Sequence, residues 1–316
     1  MNNTVKNTLK TLTLALALAA FALPSAQAQT TAAHTFVSST GNDALNATSD
    51  GLGCSRAHPC ATFQAALGQT SPGGVISVID SGDYGPANIS QSVTIDGTGS
   101  NAAITATTGN AVAITPGSSA VVTLRHLTLI GPGTANSNTR GITVRNSSLL
   151  VEDCKMSGFS VGVSVGSGSV VVQRTTITNC DHGIDGNGGL LSVRDSTLQG
   201  GTYGASVSDG LADLSRCTVA QNSGDGLLVT AFGTSPVVTA TGCTISGNGG
   251  GVLATGTPGP MQSGTPVVNL NDNDVWNNGT GFSTSFGGII ATAGNNRKAG
   301  NATPGAPTPG ATVTVQ

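Results

Sequence analysis

Residues 169–189, SVVVQRTTITNCDHGIDGNGG, and 190–210, LLSVRDSTLQGGTYGASVSDG, share few identities but one order of apolar and polar positions. Each passes through an alternating apolar segment, a polar corner, an aliphatic, a second corner, a glycine and a short apolar segment of small residues. Alternation is the strand period, because successive side chains of an extended chain point to opposite sides. With Val172 as the anchor of a unit, the equivalent anchors are Val122, Val151, Val193, Leu214, Ala240 and Leu270. Five residues further on stand Leu127, Met156, Ile177, Leu198, Val219, Ile245 and Val275. Glycines follow at 141, 162, 183, 204, 226, 251 and 281. The unit is 21 residues long, with occasional insertions.

Three short strands fill such a unit and leave no room for the dozen or more residues of a helical crossover. A single unit cannot bury its own apolar side. Stacked in parallel, about 4.7–4.9 Å apart, the units pair their backbone groups with the coils above and below. The sequence therefore predicts an all-β solenoid. Without the six-residue repeat of left-handed β-helices it reads as a right-handed parallel β-helix, with length for about ten coils.

Stacking turns alignment columns into ladders. Three positions after the anchors lie Arg125, Cys154, Thr175, Ser196, Cys217, Cys243 and Asn273, at inward parity. Buried cysteines there pack as small hydrophobes rather than metal ligands. Cys217 and Cys243 fall on adjacent coils; contact is expected, and whether they are bonded stays open. Two positions after the anchors, Asp153, Arg174, Asp195 and Arg216 alternate in charge, which fixes register on the outer side. Asn222, Asn248 and Asn278 share a turn column and are placed to hydrogen-bond their copies.

Only 9% of the residues are charged and 3% aromatic, with a formal net charge of −3. That leaves no electrostatic footprint for nucleic acid. Lys6 and Lys10, the apolar run Leu12–Leu23 and Ala26-Gln27-Ala28 read as a cleavable signal over residues 1–28. Localisation is then periplasmic or secreted, with no integral membrane segment. Cys54 and Cys60, in one short polar loop, are the best disulfide pair.

These columns resemble the right-handed parallel β-helix proteins of the pectin-lyase-like superfamily, over roughly residues 34–295. TFVSSTGND (35–43) resembles an opening strand. CSRAHPCATFQAAL (54–67) resembles a disulfide-tied loop leading to a short capping helix with Phe63, Ala66 and Leu67 on its apolar side. The domain reading is a strand, Cys loop and capping helix over 29–74, the β-helix over 75–296, and a flexible Pro/Gly/Ala-rich tail over 297–316.

The resemblance brings carbohydrate chemistry into view, but its enzymes' signatures are missing. Glu152 is the only Glu, and Gly82-Asp83-Tyr84-Gly85-Pro86 departs from a pectin esterase pattern at its acid. A lyase needs a base and a cation that neutralises a uronate carboxylate. His182 as base, Tyr203 as acid and Arg140 as neutraliser form that candidate set, with loop 131–139 as a wall and Asp181 and Asp185 flanking His182. A second patch, His126, Glu152, Asp153, Lys155 and Arg174, reads as an ion-pair network. A glycan-binding alternative uses Trp276, the single Trp, with Asp272, Asp274 and Asn277. DGNGG (185–189) occurs once, so no metal or other cofactor is expected. The expectation is an exported scaffold or binding protein for polysaccharide, with lyase activity as the alternative.

Overall fold

The structure, a computed structural model, describes residues 31–44, 53–115, 120–133, 138–258 and 264–314. The signal segment 1–28 lies outside the described residues. Each coil contributes three parallel strands. In one typical coil these are Gly168–Gln173 on a first face, Thr176–Thr178 on a second and, in the strand His182–Arg194, the start of a third. The second face is a ladder of ten short strands, from Gly82–Asp83 to Arg297–Ala299. First and third faces join into one 18-stranded sheet, because two 13-residue strands, His182–Arg194 and Tyr203–Ser215, run unbroken across the corner. The chain is an all-β, right-handed parallel β-helix.

The inner columns are largely apolar, with buried Thr175, Ser196 and Asn273 among the exceptions. Leu124, Val151, Val172, Val193, Leu214, Ala240 and Leu270 pair rung by rung and are no more than 1% exposed. Each large buried aliphatic contributes about 1.5–3 kcal/mol. One rung differs from the sequence reading. Val151 pairs with Leu124, not Val122, and Met156 pairs with Leu129, not Leu127. Arg125 therefore leaves the inward column, and Leu127, 1% exposed, fills it beside Cys154. A slip of two residues preserves which side is buried, so parity alone could not exclude it.

The corners carry the load of turning the chain. Between first and second faces stand His126, Asp153, Arg174, Asp195, Arg216 and Asp272, all with φ between 47 and 55°. This left-handed conformation disfavours side chains other than Gly, Asn and Asp. The ladder compensates: the N–H groups of Asp153, Arg174, Asp195 and Arg216 donate to carbonyls of the next coil at 3.0–3.2 Å. The charge alternation is realised on top of it. Arg174 Nε donates to Asp153 Oδ1 at 3.0 Å, and its Nη2 also bonds Glu152. His126 Nε2 lies 3.8 Å from Asp153, so four of the five expected patch residues are joined, while Lys155 forms no ion pair among the described residues.

At the second corner, buried asparagines stack. Asn222 Nδ2 donates to Asn248 Oδ1 at 2.9 Å, Asn248 to Asn278 at 3.0 Å, and Asn278 to Asn301 at 3.0 Å. Each oxygen also accepts the backbone N–H of the residue before it in the stack.

The N-terminal end is closed as expected. Cys54 and Cys60 are disulfide-bonded. Helix Phe63–Gln69 starts at Thr62, whose hydroxyl accepts from the Ala65 N–H, and it buries Phe63, Ala66 and Leu67. The tail departs from expectation. Residues 302–313 are not loose but hydrogen-bonded along the last rows: Thr303 N–H to Gly279 O at 2.8 Å, Thr308 N–H to Ile290 O at 2.9 Å and Val313 N–H to Thr292 O at 3.1 Å. Lys298 lies over the Phe282 ring at 4.7 Å and donates to Gly305 O. A Pro/Gly-rich composition set the expectation of flexibility; free backbone groups on the final coil override it.

Candidate functional site

The third face places the predicted catalytic set in a single column. Arg140 pairs with Val161, Val161 with His182, and His182 with Tyr203. The register continues to Asp225 and from there to Gly250. His182 and Tyr203 are in contact, with ring centroids 4.9 Å apart. Arg140 stands two rungs from His182, about 10 Å along the axis, with Val161 between. The Tyr203 ring has room because Gly224 lies beneath it; a Cβ there would come within 3.0 Å of the ring.

His182 Nε2 is 4.0 Å from Asp181 Oδ2, while His182 Nδ1 and Arg140 Nε are buried atoms with no hydrogen-bond partner. Burial holds the Asp225 carboxyl above its ordinary range. Loop 131–139, expected as a wall, is described only at 131–133 and 138–139.

The column sits on a polar sheet face that the sequence reading covered in part. Arg145, on the same coil as Arg140, is exposed and lays its stem over Gly166. Two coils on, Asn187 bridges Asp185 at 2.8 Å and Ser208 at 2.6 Å. Arg145 had a signal in the repeat: it lies three residues after Ile142, a column position. Arg125, Arg174, Arg216 and Arg297 all pair with carboxylates. Arg140 and Arg145, like Arg56 and Arg194, form no ion pair among the described residues; unlike those two, they share one coil of the third face.

The second predicted set lies elsewhere, on the second face near the C-terminal end. Trp276 is 40% exposed, between Ser246 and Ala299. Its carboxylate companions are engaged: Arg297 donates to Asp274 at 2.5 Å and to Asp272 at 3.4 Å. Asn277 is a left-handed corner residue with φ 55°, and its N–H bonds Ala299 O at 3.0 Å. The first face carries a further feature that was not foreseen, an exposed aliphatic strip. Leu190 and Leu211, each 53% exposed, pair with one another and then with Val237 along a shallow groove of about 490 Å³.

Among the described residues no His, Cys, Asp or Glu group is arranged to hold a metal ion, and no helix is long and apolar enough to cross a membrane.

Three parallel strand faces around one core make this a right-handed parallel β-helix. No family model matches the chain, and no curated protein does. Among solved structures it is similar to pectate lyase Pel9A, at 14% identity, covering 88% of this chain and 82% of that one, with a TM-score of 0.47. It is similar to a lacto-N-biosidase from Eubacterium ramulus, at 10% identity over 85% and 67% of the two chains, TM-score 0.41. A third likeness is the A-module of a mannuronan C-5 epimerase from Azotobacter vinelandii, at 14% identity over 76% and 86%, TM-score 0.36. Likenesses this distant carry no inference about chemistry.

Proposed function

We propose that the protein is an exported binder of extended, carboxylate-bearing polysaccharide, and that the third face around Arg140, Arg145, His182 and Tyr203 is where it binds. The observation that carries this is the pair of unpartnered arginines. Elsewhere the outer corner columns neutralise their arginines coil by coil; here two guanidiniums are left free on a rigid sheet. A guanidinium offers a planar fork matched to a carboxylate. The His182–Tyr203 ring pair supplies an adjacent platform for the apolar face of a sugar. Regular rungs hold these groups without reorganisation, which lowers the cost of binding a stiff chain. The Trp276 patch is less suited, since Asp272 and Asp274 are already held by Arg297.

The test is retention on a panel of polyuronates and neutral glycans. The expected result is salt-sensitive binding to polyuronates, reduced at least tenfold in Arg140→Ala/Arg145→Ala and unchanged in Trp276→Ala. Equal binding by the double variant overturns the reading. The ring contact of His182 with Tyr203 also favours a second reading, β-elimination with His182 as base and Tyr203 as acid. It requires new ultraviolet absorbance from unsaturated uronides that disappears in His182→Ala; a panel without any such absorbance eliminates it.

A further inference from the structure

Four cysteines are free and buried: Cys154, Cys180, Cys217 and Cys243. Two of them are rung neighbours. Thr218 pairs with Thr244, so the residues before them, Cys217 and Cys243, stack directly. The Thr244 N–H donates to Cys217 O at 2.9 Å, and the Cys217 N–H reaches Cys243 Sγ at 3.4 Å. Both side chains point into the core, at 2% and 1% exposure. Parallel rungs put their Cα atoms about 4.8 Å apart, inside the roughly 4.4–6.8 Å span of a disulfide. Each thiol donates to a backbone carbonyl, Cys217 to Val193 O at 3.3 Å and Cys243 to Leu214 O at 3.4 Å, weak bonds that oxidation gives up at small cost.

The other two have no sulfur beside them. Cys154 stacks between Leu127 and Thr175, and Cys180 between Phe159 and Gly201, by the same register. They are internal controls.

We infer that Cys217 and Cys243 are an oxidation site, closed into a second disulfide that joins consecutive coils when the chain folds in the presence of a disulfide-bearing thiol oxidant. The exchange balances. One cysteine thiolate attacks a sulfur of the external disulfide, forms a mixed disulfide and releases one external thiol. The second cysteine attacks the protein-side sulfur of that mixed disulfide and releases the other. The two protons lost by the cysteines end on the two external thiols: one external disulfide is reduced and one protein disulfide is made. The reaction belongs to the chain before the coils close. In the folded protein both sulfurs are covered, at 2% and 1% exposure, out of reach of an external oxidant. The Cys54–Cys60 disulfide, within one loop before the capping helix, shows that this chain carries an oxidised pair.

The experiment refolds reduced, full-length chain with oxidised glutathione, then alkylates in denaturant and maps peptides without reduction. The expected result is a Cys217–Cys243 linked peptide, with Cys154 and Cys180 alkylated. Cys54→Ser/Cys60→Ser should keep the bond and weigh two hydrogens less than its reduced form; Cys217→Ser should leave Cys243 alkylated. Should that single variant fail to fold, Cys154→Ala/Cys180→Ala provides the same map with the pair intact. Alkylation of both Cys217 and Cys243 in the unreduced chain overturns the inference, as does either cysteine linked elsewhere.

Discussion

Arg216 grips Asp195 through both carboxylate oxygens, Nε to Oδ1 at 2.7 Å and Nη2 to Oδ2 at 2.8 Å, while both residues hold left-handed backbone, each at φ 51°. An exposed ion pair stabilises by only about 0–1 kcal/mol, and a left-handed non-glycine residue costs about 1–2 kcal/mol. The next rung of this column is already a glycine, Gly242, at φ 61°. Arg216→Gly is therefore expected to leave stability within about 1 kcal/mol of the parent, the lost pair offset by relieved backbone. Arg216→Val, which forfeits the pair and puts a β-branched side chain on left-handed backbone, should unfold at lower urea than both the parent and Arg216→Gly. Urea midpoints of the two variants check this; equal values would mean that the corner conformation is not the controlling factor.

Asn248 is the middle of the stack. Its Oδ1 accepts from the Asn222 N–H and side chain, and its Nδ2 donates to Asn278 Oδ1 and Val219 O. At 3% exposure, water does not replace those partners. Asn248→Leu strands two donors and a carbonyl in the core, each at about 1–3 kcal/mol, so a loss of at least about 3 kcal/mol is expected in chemical denaturation.

Two glycines predict opposite signs. Gly68 lies in the capping helix, and a Cβ there would meet nothing within 4 Å. Gly68→Ala should raise stability by about 0.5–1 kcal/mol. At Gly204 a Cβ would fall 2.3 Å from Val219 Cγ1 and 2.6 Å from the Gly226 carbonyl oxygen. Gly204→Ala should lower stability by about 1–3 kcal/mol, since the next coil is the obstacle. Thermal melts of the two variants should move in opposite directions.

Acid should loosen the N-terminal end in a traceable way. Asp80 accepts from the Ser39 N–H at 2.8 Å, the buried Tyr84 hydroxyl at 2.6 Å and Ser38 at 2.7 Å, and these bonds, Ser39 foremost, hold its carboxyl at about 2 against an ordinary 3.8. A depressed carboxyl contributes stability that is full above its unfolded value and disappears as pH falls through the folded one. Asp83, Asp96, Asp153 and Asp195 are lowered too and add to the same decline. Asp80→Asn should reduce the parent's melting-temperature drop between about pH 4 and pH 2. An unchanged drop would remove Asp80 from the account.

Much of the molecule could be read from its residues. The 21-residue interval, the glycine column from Gly141 to Gly281 and the inward Cys154–Cys217–Cys243 column all describe packing, and packing repeats. The rung at Val122 failed because Val122, Leu124, Leu127 and Leu129 offer two registers of equal parity, and only the left-handed corner at His126 chooses between them. That corner was hidden, since no Gly, Asn or Asp stands at 126 to mark it. The candidate site was legible as a column, Arg140–His182–Tyr203, but not as an electrostatic environment. Which arginines are neutralised depends on the length and direction of side chains, as Arg297 shows by leaving a segment read as loose to occupy Asp272 and Asp274.

A stack of parallel coils has no inherent stopping point, because each terminal row is a template for one more. The lap of chain over residues 302–313 uses its amides to complete the row beneath it, and Pro304, Pro307 and Pro309 bring no N–H of their own to offer outward. That lap thus covers the row beneath it with a segment poor in N–H donors, so the row is no open template for pairing with another copy.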